Sequence, residues 1–237
     1  GAHLDEAIES VLSQTLDDIE LIVVDDCSDD PETIAKLAEV AQKVRVLKTP
    51  RNSGVAAARN LGIAEAKADY IVCLDADDRF ELTYLEDAFN LFESSDETSV
   101  VAAWVSYFGA RRGHWKPLDK PGLTDALVGS PIPQASCFRK SLWSRVGGYD
   151  EQMRGYEDWE FWIRVMAAGA LVRVMPRFGY NYRVRPDSKV NTSNANAIEL
   201  VSHIVKRNRA AFEGNLEAVV ANFHAKGLEA KANAARP

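Results

Sequence analysis

Apolar residues near the start of the chain recur every three or four positions, which is the spacing of one helix face. The run IELIVV, residues 19–24, then has the length and composition typical of a strand buried on both faces. Asp30 followed by Pro31 indicates a second helix, because aspartate caps a helix and proline suits its first turn. The apolar positions of the first helix are Leu4, Ala7, Ile8, Val11 and Leu12.

The same alternation of helical and strand-like segments continues through the first half of the chain. VRVL and YIVCL are short strand-like runs, and NSGVAAARNLGIAEAK between them is an alanine-rich helix entered through Asn52 or Ser53. Thr83 and Glu86 have the spacing of a capping box for a further helix that runs through Phe92. Strands that alternate with helices in this way predict βαβ units. We therefore expect an α/β fold with a mostly parallel sheet flanked by helices.

The second half of the chain is less regular. SVVAAWVSYF, PQASCFRK, ALVRVM and YNYRVR are strand-like, and YEDWEFWIRVMAAG is a helix that ends at a glycine. Residues 111–133 are rich in glycine and proline, which predicts a loop. A helical tail of weak apolar character follows from about Ile198. These changes divide the chain into a first half at 1–98, a second half of the same domain at 99–190, and a helical C-terminal tail at 191–237.

Composition narrows the class of protein. A hydrophobic content of 46% with 27% charged residues is typical of a soluble globular protein, and the longest apolar run is too short to span a membrane, so at most peripheral membrane contact is expected. The 28 basic and 35 acidic residues give a net charge of −7, which argues against nucleic acid as the main partner. Cys27, Cys73 and Cys137 lack metal-ligand spacing. We therefore expect free thiols and a cytoplasmic location, either in solution or at the cytoplasmic face of the membrane.

Two acidic clusters directly follow predicted strands. VVDDCSDD ends the first strand and CLDADD, which contains Asp75 and Asp77, ends the third. In open α/β sheets ligands bind beyond the carboxyl ends of parallel strands, so both clusters are expected at a binding edge. Neighbouring carboxylates repel, and a hard divalent cation removes that repulsion. The pattern predicts a Mg²⁺ or Mn²⁺ site that also binds a phosphate-bearing ligand, although acid-rich loops also serve as ordinary turns and caps.

The order of four motifs resembles family 2 glycosyltransferases of the GT-A fold. These motifs are AIESVLSQTLDDIELIVVDDCSDD, NSGVAAARNLGIAEAKADYIVCLDADD, GGYDEQMRGYEDWEFWIRV and YRVRPDS, and the resemblance covers about residues 2–190. It implies a Rossmann-like GT-A sheet, with a nucleotide-sugar-binding half at 1–98 and an acceptor-binding, catalytic-base half at 99–190. The implied activity is transfer of a sugar from a nucleotide diphosphate donor, with a UDP-sugar as the expected donor, to an acceptor hydroxyl with inversion of the anomeric centre.

The resemblance also implies which residues carry the chemistry. Asp158 in YEDW matches the general base that takes the proton of the acceptor hydroxyl, with Glu157 beside it. Asp77 matches the direct metal ligand, and Asp75 matches a residue near both the ribose and the metal. A metal at this position would neutralise charge that builds on the departing diphosphate. Without the family pattern, Glu157 and Asp158 could simply complement a helix N-terminus.

A second set of residues is implied for nucleotide binding. Asp26, the second acid of VVDD, matches the contact to the nucleotide base, and Arg59 is a further candidate for the nucleotide pocket. Arg183, Arg185 and Ser188 match the segment that closes over the diphosphate. Arg183 and Arg185 also alternate along a predicted strand, so a solvated strand face is an equal interpretation.

Three departures from the family pattern concern the nucleotide site. The chain opens on the helix that follows the family's usual first strand, so we expect a sheet without that central member. Cys27 replaces the usual glycine after the acid pair, and Arg185 stands where histidine is frequent. These positions affect the contacts expected to the base and to the diphosphate.

Two other functions remain open at this point. A nucleotidyltransferase of similar fold would release pyrophosphate from a nucleoside triphosphate, and a non-catalytic saccharide-binding domain would bind saccharide without metal-dependent turnover.

For a glycosyltransferase, a glycan, a lipid-linked sugar and a protein all remain possible acceptors. Aromatic residues that could stack on an acceptor sugar, although core packing is the commoner role, are Trp104, Tyr107, Trp115 and Trp143.

Overall fold

The computed structural model describes residues 3–186 and 195–234, with side chains of the last helix as far as residue 225. The helices are α1 (Leu4–Leu12), α2 (Pro31–Val40), α3 (Val55–Glu65), α4 (Tyr84–Glu93), α5 (Leu123–Ala126), α6 (Lys140–Val146), α7 (Glu157–Ala167), α8 (Ala197–Arg207), α9 (Arg209–Gly214) and α10 (Leu216–Ala234). The strands are β1 (Ile22–Asp25), β2 (Arg45–Lys48), β3 (Tyr70–Ile71), β4 (Arg79–Phe80), β5 (Thr98–Gly109), β6 (Gly113–Trp115), β7 (Cys137–Arg139) and β8 (Leu171–Val184).

Strand β5 lies at the centre of the larger sheet, and half of its residues, most of them apolar, are buried. It pairs in parallel with β8, from Thr98 opposite Leu171 to Gly109 opposite Val184. Its other edge pairs antiparallel with β7 and β6. The strand order is β3-β7-β5-β8-β4, with β6 beside β5, while β1 and β2 form a separate parallel pair.

The α/β class with flanking helices is confirmed, and the sheet is mixed rather than mostly parallel. Among the described strands, only the β1–β2 and β5–β8 pairings are parallel. The connection from β5 to β6 is a short turn, which can join only antiparallel neighbours, whereas the route from β5 to β8 passes through helices. Parallel pairing is therefore confined to strands that are separated by a helical connection.

Strand β1 is less buried than its sequence predicts. The expected strand at 19–24 is observed at Ile22–Asp25, and its first three residues are only partly buried. One edge of β1 pairs with β2, and its other edge pairs with no strand in the described part of the chain. Its apolar side chains therefore have fewer neighbours than those of a fully enclosed strand.

The core lies on both faces of β5, because successive side chains of a strand point to opposite sides. Val100 and Ala102 pack in the cluster that contains Phe161 and Trp162 of α7. The alternate residues of β5 pack against α4 and α1 on the other face. The sheet thereby holds α7, whose first turn carries the acidic YED motif, in a fixed position.

Local details differ from the predictions at several positions. The Asp30 cap is confirmed, since its carboxylate accepts from the Thr33 backbone N–H at 2.8 Å. Thr83 instead donates to Asp87, so the predicted capping box does not form.

The loop expected at 111–133 contains two regular elements. Strand β6 completes a hairpin with β5, and helix α5 lies against α7. Gly54, rather than Asn52 or Ser53, directly precedes α3.

The helices of the described chain are too short or too polar to cross a lipid bilayer. All three cysteines are free thiols.

Candidate active site

Arg59 joins the two acidic regions that the sequence places far apart. It lies on α3, is 8% exposed, and donates through one Nη to Glu157 and through the other to Asp75, each at 2.8 Å. Two anions on different segments are thus held by one planar cation, the geometry for which arginine is suited. The bridge brings the start of α7 beside the turn that follows β3.

Helix α7 begins at Glu157 because the preceding residue turns the backbone. Tyr156 has φ +56°, a left-handed conformation that is costly for a side chain of this size. Glu157 and Asp158 then occupy the first turn, where the helix dipole favours negative charge. Burial, and next the charge of Glu157, raise the pKa of the Asp158 carboxyl to about 6 although Arg59 opposes the shift. A carboxylate with this pKa is ionised at neutral pH and more basic than usual.

Glu160, one turn further along α7, is fully buried. Its carboxylate accepts from Arg164 on the same helix, and from Arg207 and Asn208 at the end of α8, at 3.1 and 3.2 Å. We refer to Glu160, Arg164, Arg207 and Asn208 as the Glu160 cluster. The sequence did not predict it, since an acid inside an apolar helix shows only that some cation is needed.

Asp150, in the segment before α7, is held by the same tail helix. Its carboxylate contacts His203 at 2.8 Å and Arg207 at 3.3 Å, both on α8. Burial would raise its pKa, but the hydrogen bond to His203 and other polar contacts lower it below the ordinary value. The helical tail thus packs on the segment and helix that carry Glu157 and Asp158, a role the sequence did not reveal.

Asp75 and Asp77 lie in the turn between β3 and β4, with 40% and 26% of their side chains exposed. Asp75 faces Arg59, and Asp77 contacts Arg185 with an Nε–Oδ2 distance of 3.2 Å. The described residues contain no cluster of three or more acidic, histidine or cysteine side chains able to hold a metal. The two partly exposed carboxylates fit a Mg²⁺ or Mn²⁺ ion whose coordination would be completed by phosphate oxygens and water, as such ions prefer.

Asp78, the third acid of this turn, has a different role from its neighbours. It is 1% exposed and accepts hydrogen bonds from the Tyr180 hydroxyl and, at 2.7 Å, from the Arg183 backbone N–H. Burial first, and then the charge of Asp75, raise its pKa to about 7. Asp78 therefore fixes the end of β8 to the acidic turn, a function that the DADD motif alone does not distinguish from metal binding.

The two arginines predicted for the diphosphate differ in their surroundings. Arg183 is 13% exposed, donates to the Asp77 carbonyl at 2.7 Å and to Glu6 at 2.8 Å, and stacks on Phe108. Arg185 is 41% exposed and contacts the Asp77 carboxylate. Arg183 is held by several fixed groups, whereas Arg185 lies at the surface of the acidic turn. Ser188 lies outside the described residues.

Asp26 holds the loop that leads into α3. Its carboxylate accepts from the Thr49 hydroxyl and from the backbone N–H groups of Ser53 and Gly54, at 2.7 to 2.8 Å. Contact between Asp26 and a nucleotide base stays a prediction. In the structure this carboxylate fixes the loop at 49–54 to the end of β1.

Three of the four aromatic residues considered for acceptor binding, Trp104, Tyr107 and Trp115, lie on the β5–β6 hairpin, and Trp143 lies on α6. Trp143 donates to Asn60, and Lys116 covers the ring of Trp104 with its ammonium 4.1 Å from the ring centre. Tyr107 packs edge-on against Tyr182. Tyr107 and Trp115 pack on one face of the sheet and Trp104 on the other, and stacking on an acceptor stays a prediction.

Cys27 has φ +58°, the left-handed conformation in which glycine is most easily accommodated. Replacement by glycine removes the steric cost of the side chain but adds backbone freedom to the unfolded chain. We expect Cys27→Gly to increase the free energy of unfolding by about 0.5–1 kcal/mol, measured by urea denaturation. Asp29→Gly is the control, because Asp29 is exposed and does not have a positive φ, so this substitution brings only the entropic cost. Equal destabilisation by both substitutions would contradict the steric explanation.

Comparison with known proteins agrees with this geometry. A sequence model of the family described as Glycosyl transferase family 2 matches residues 1–160. A curated relative, "Uncharacterized glycosyltransferase YwdF" of Bacillus subtilis (strain 168), is 31% identical over 166 residues, which are 67% of this chain and 61% of the relative. "Minor teichoic acid biosynthesis protein GgaB" of the same organism is 32% identical over 209 residues, 82% of this chain and 23% of that protein.

Solved structures share the fold. TarS of S. aureus, residues 1–349 in complex with UDP-GlcNAc, superposes with a TM-score of 0.69 at 18% identity, covering 81% of this chain and 57% of that one. The complex of the same segment with UDP gives a TM-score of 0.67 at 19% identity, covering 86% of this chain and 62% of TarS 1–349. These likenesses confirm the GT-A fold.

The matched region is only part of the length of each of these curated relatives. The chain spans 61% and 66% of the lengths of two curated relatives. The family match, in contrast, covers more than half of this chain and includes Asp26, the acidic turn and the start of α7. The chain belongs to glycosyltransferase family 2.

Proposed function

We propose that the chain is an inverting, metal-dependent glycosyltransferase that moves a sugar from a UDP-sugar donor to an acceptor hydroxyl. Asp158 is the general base, Glu157 and Arg59 hold it in place, and Asp77 is the metal ligand with Asp75 beside it. Arg185 contacts the diphosphate, and Asp26 lies at the nucleotide base. The observation that carries the proposal is the Arg59 bridge between Asp75 and Glu157.

The bridge matters because transfer needs two groups on opposite sides of the reacting carbon. The leaving diphosphate requires positive charge, and the attacking hydroxyl requires a base. Arg59 ties the acidic turn to the first turn of α7, so donor and base lie at one site. Such positioning supplies much of the rate of a two-substrate reaction.

The observed surroundings of Asp158 suit the role of a general base. Asp158 lies at the dipole-favoured end of α7, and its raised pKa, about 6, leaves it ionised at pH 7. The acceptor hydroxyl becomes acidic as its bond to the anomeric carbon forms, and its proton passes to the Asp158 carboxylate. Attack from the face opposite the leaving group inverts the anomeric centre.

The divalent ion would be held by Asp77, with Asp75 within the same turn. When bound, it supplies positive charge against the diphosphate oxygens. A site with only one or two carboxylates binds such an ion chiefly together with phosphate, which agrees with the absence of a larger acidic set in the described chain. Mg²⁺ and Mn²⁺ both suit these oxygen ligands.

The donor and acceptor classes are inferred from relatives. TarS has been solved with UDP and with UDP-GlcNAc, which supports a UDP-sugar donor. The names of two relatives refer to teichoic acid and to succinoglycan biosynthesis. We therefore favour a growing glycan, free or lipid-linked, over a protein acceptor. Three free thiols support a cytoplasmic site of action, in solution or at the membrane face.

Replacement of Asp77 by alanine tests the metal site. We expect Asp77→Ala to abolish the Mn²⁺-dependent part of UDP binding, because the ion loses its direct ligand. The measurement is isothermal calorimetry with UDP in the presence and absence of Mn²⁺. Asp96→Ala removes an exposed acid from the turn before β5 and serves as the charge-matched control. Unchanged Mn²⁺ dependence in Asp77→Ala would refute the assignment.

Product analysis separates the other two functions. Incubation with UDP-[¹⁴C]GlcNAc and Mn²⁺ should release UDP and transfer or hydrolyse the sugar. Release of pyrophosphate from UTP and a sugar phosphate would instead identify a nucleotidyltransferase. Saccharide binding with no turnover of any nucleotide sugar would identify a binding domain.

A further inference from the structure

We propose that Arg207 is a positioning residue for the general base, because it ties together the two ends of the segment that carries Asp158. That segment is residues 150–160, and the inference rests on the proposed function. Arg207 lies on the tail helix α8, beyond the residues that the family model matches. The tail would then be a working part of the active site.

The contacts of Arg207 carry the inference. Its Nε lies 3.3 Å from Asp150 Oδ2 and 3.1 Å from Glu160 Oε1, so one guanidinium joins the first and last residues of the segment. Both acids are buried, with 6% and 0% of their side chains exposed. A buried carboxylate depends strongly on its cation, because it cannot turn to water instead. The tie therefore fixes two points of the segment relative to each other.

The residues between these two acids include the proposed base. Tyr156 has φ +56°, a conformation that persists only where the surrounding structure holds it. Glu157 and Asp158 follow directly and form the first turn of α7. Arg59 holds this turn from the side of α3, and Arg207 holds the same segment from the side of α8. The position of Asp158 thus depends on both arginines.

Loss of Arg207 would release the tie without removing every partner of either acid. Glu160 would keep Arg164, and Asp150 would keep His203. The domain should therefore still fold, whereas the two ends of the segment would no longer be joined directly. A small displacement of a catalytic group slows a reaction strongly, even when the change that causes it lies away from the reacting atoms.

The test measures turnover of UDP-GlcNAc with Mn²⁺, and binding of UDP, for wild type, Arg207→Met and Lys206→Met. Methionine keeps the stem of either side chain and removes its charge and its N–H donors. Lys206 is exposed on the same helix, so its substitution is the matched control. We expect Arg207→Met to lower kcat about tenfold and to leave the Kd for UDP within about twofold of wild type. Lys206→Met should match wild type in both measurements.

Two further variants separate positioning from a general loss of structure. Arg207→Lys should recover most of the lost turnover, because both acids contact a single nitrogen and an ammonium group offers three donors. Arg207→Met combined with Asp158→Asn should slow the residual turnover of Asp158→Asn by less than about twofold, since no base is left to displace.

Amide hydrogen exchange tests the tie without a donor sugar. Exchange of residues 151–159 should become about tenfold faster in Arg207→Met and should not change in Lys206→Met. Unchanged exchange in Arg207→Met would overturn the inference whichever sugar the protein transfers.

The kinetic outcomes distinguish the inference from the proposed function. Full turnover by Arg207→Met, with Asp158→Asn strongly slowed, would overturn the inference and leave the proposed function in place. Weaker UDP binding, an equal loss in both backgrounds, or no recovery in Arg207→Lys would also overturn it, because Arg207 would then support the domain as a whole. Full turnover by Asp158→Asn would refute the proposed function and the inference together.

Discussion

Replacement of Asp158 by asparagine should lower turnover of UDP-sugar by about 10²–10⁴-fold, the usual contribution of a general base. Asparagine has nearly the same shape but cannot take the proton of the acceptor hydroxyl. Binding of UDP with Mn²⁺ should remain close to wild type, because the contact between this region and the acidic turn is made by Arg59 and Glu157 rather than by Asp158. The measurement pairs single-turnover kinetics with calorimetry on the same preparation.

The same substitution should stabilise the protein at neutral pH. The pKa of Asp158 is raised from 3.8 to about 6 by burial and by Glu157, so the folded state binds this proton more tightly than the unfolded chain. Stability therefore falls as pH rises from about 4 to about 6, and this loss persists at pH 7. Asp158→Asn removes it, and we expect a gain on the order of 1 kcal/mol at pH 7 and none at pH 4.

Wild-type turnover should rise with pH through about pH 6, as the Asp158 carboxyl loses its proton. Asp119→Asn, at an exposed loop position, is the control and should leave both activity and stability unchanged. Full turnover by Asp158→Asn would exclude Asp158 as the base. Loss of UDP binding together with turnover would indicate that the residue supports the donor site instead.

Replacement of Arg59 by methionine should cost about 3–5 kcal/mol of the free energy of unfolding, because it leaves buried charge without a partner. Glu157 has only 10% of its side chain exposed and would lose the cation that also offsets its repulsion with Asp158. Methionine keeps most of the volume of the arginine stem, so the loss reports the ion pairs rather than a cavity. Urea denaturation measures the change.

Two further variants make the Arg59 experiment specific. Arg45→Met removes an ion pair with Glu65 in which the two side chains are 41% and 47% exposed. This substitution should lower the free energy of unfolding by less than about 1 kcal/mol. The double variant Arg59→Met/Glu157→Gln removes the stranded charge and should recover a large part of the loss. A cost below about 1 kcal/mol for Arg59→Met alone would show that the bridge does not hold the site together.

The sequence predicted the parts of the fold that depend on local pattern. The apolar run at 99–108 became the central strand β5, and the acids after YIVCL lie in a turn that follows β3, because both follow from neighbouring residues. The mixed sheet was not predictable in the same way. The direction of a strand depends on which segments meet across long connections, as β7 and β4 show. The spacing of apolar residues along the chain does not determine that direction.

Within the site, the sequence identified the acidic residues but not the residues that contact them. Arg59 and Glu157 are 98 positions apart, so their contact is a product of the tertiary fold. Asp77 and Asp78 are adjacent and chemically alike, yet one is partly exposed and the other is 1% exposed beneath Tyr180. Only the surrounding strands distinguish a candidate ligand from a structural acid.

The Glu160 cluster has a consequence for the order in which the protein folds. Arg207 lies 47 positions after Glu160 along the chain, and His203 lies 53 positions after Asp150. The contacts that steady α7 are therefore nonlocal, and they join segments on either side of the intervening β8. During synthesis α7 would lack its polar contacts with α8 until residues 203–208 emerge from the ribosome. The polar support of the helix that carries Asp158 is therefore completed late in synthesis, after all residues of the sheet have been made.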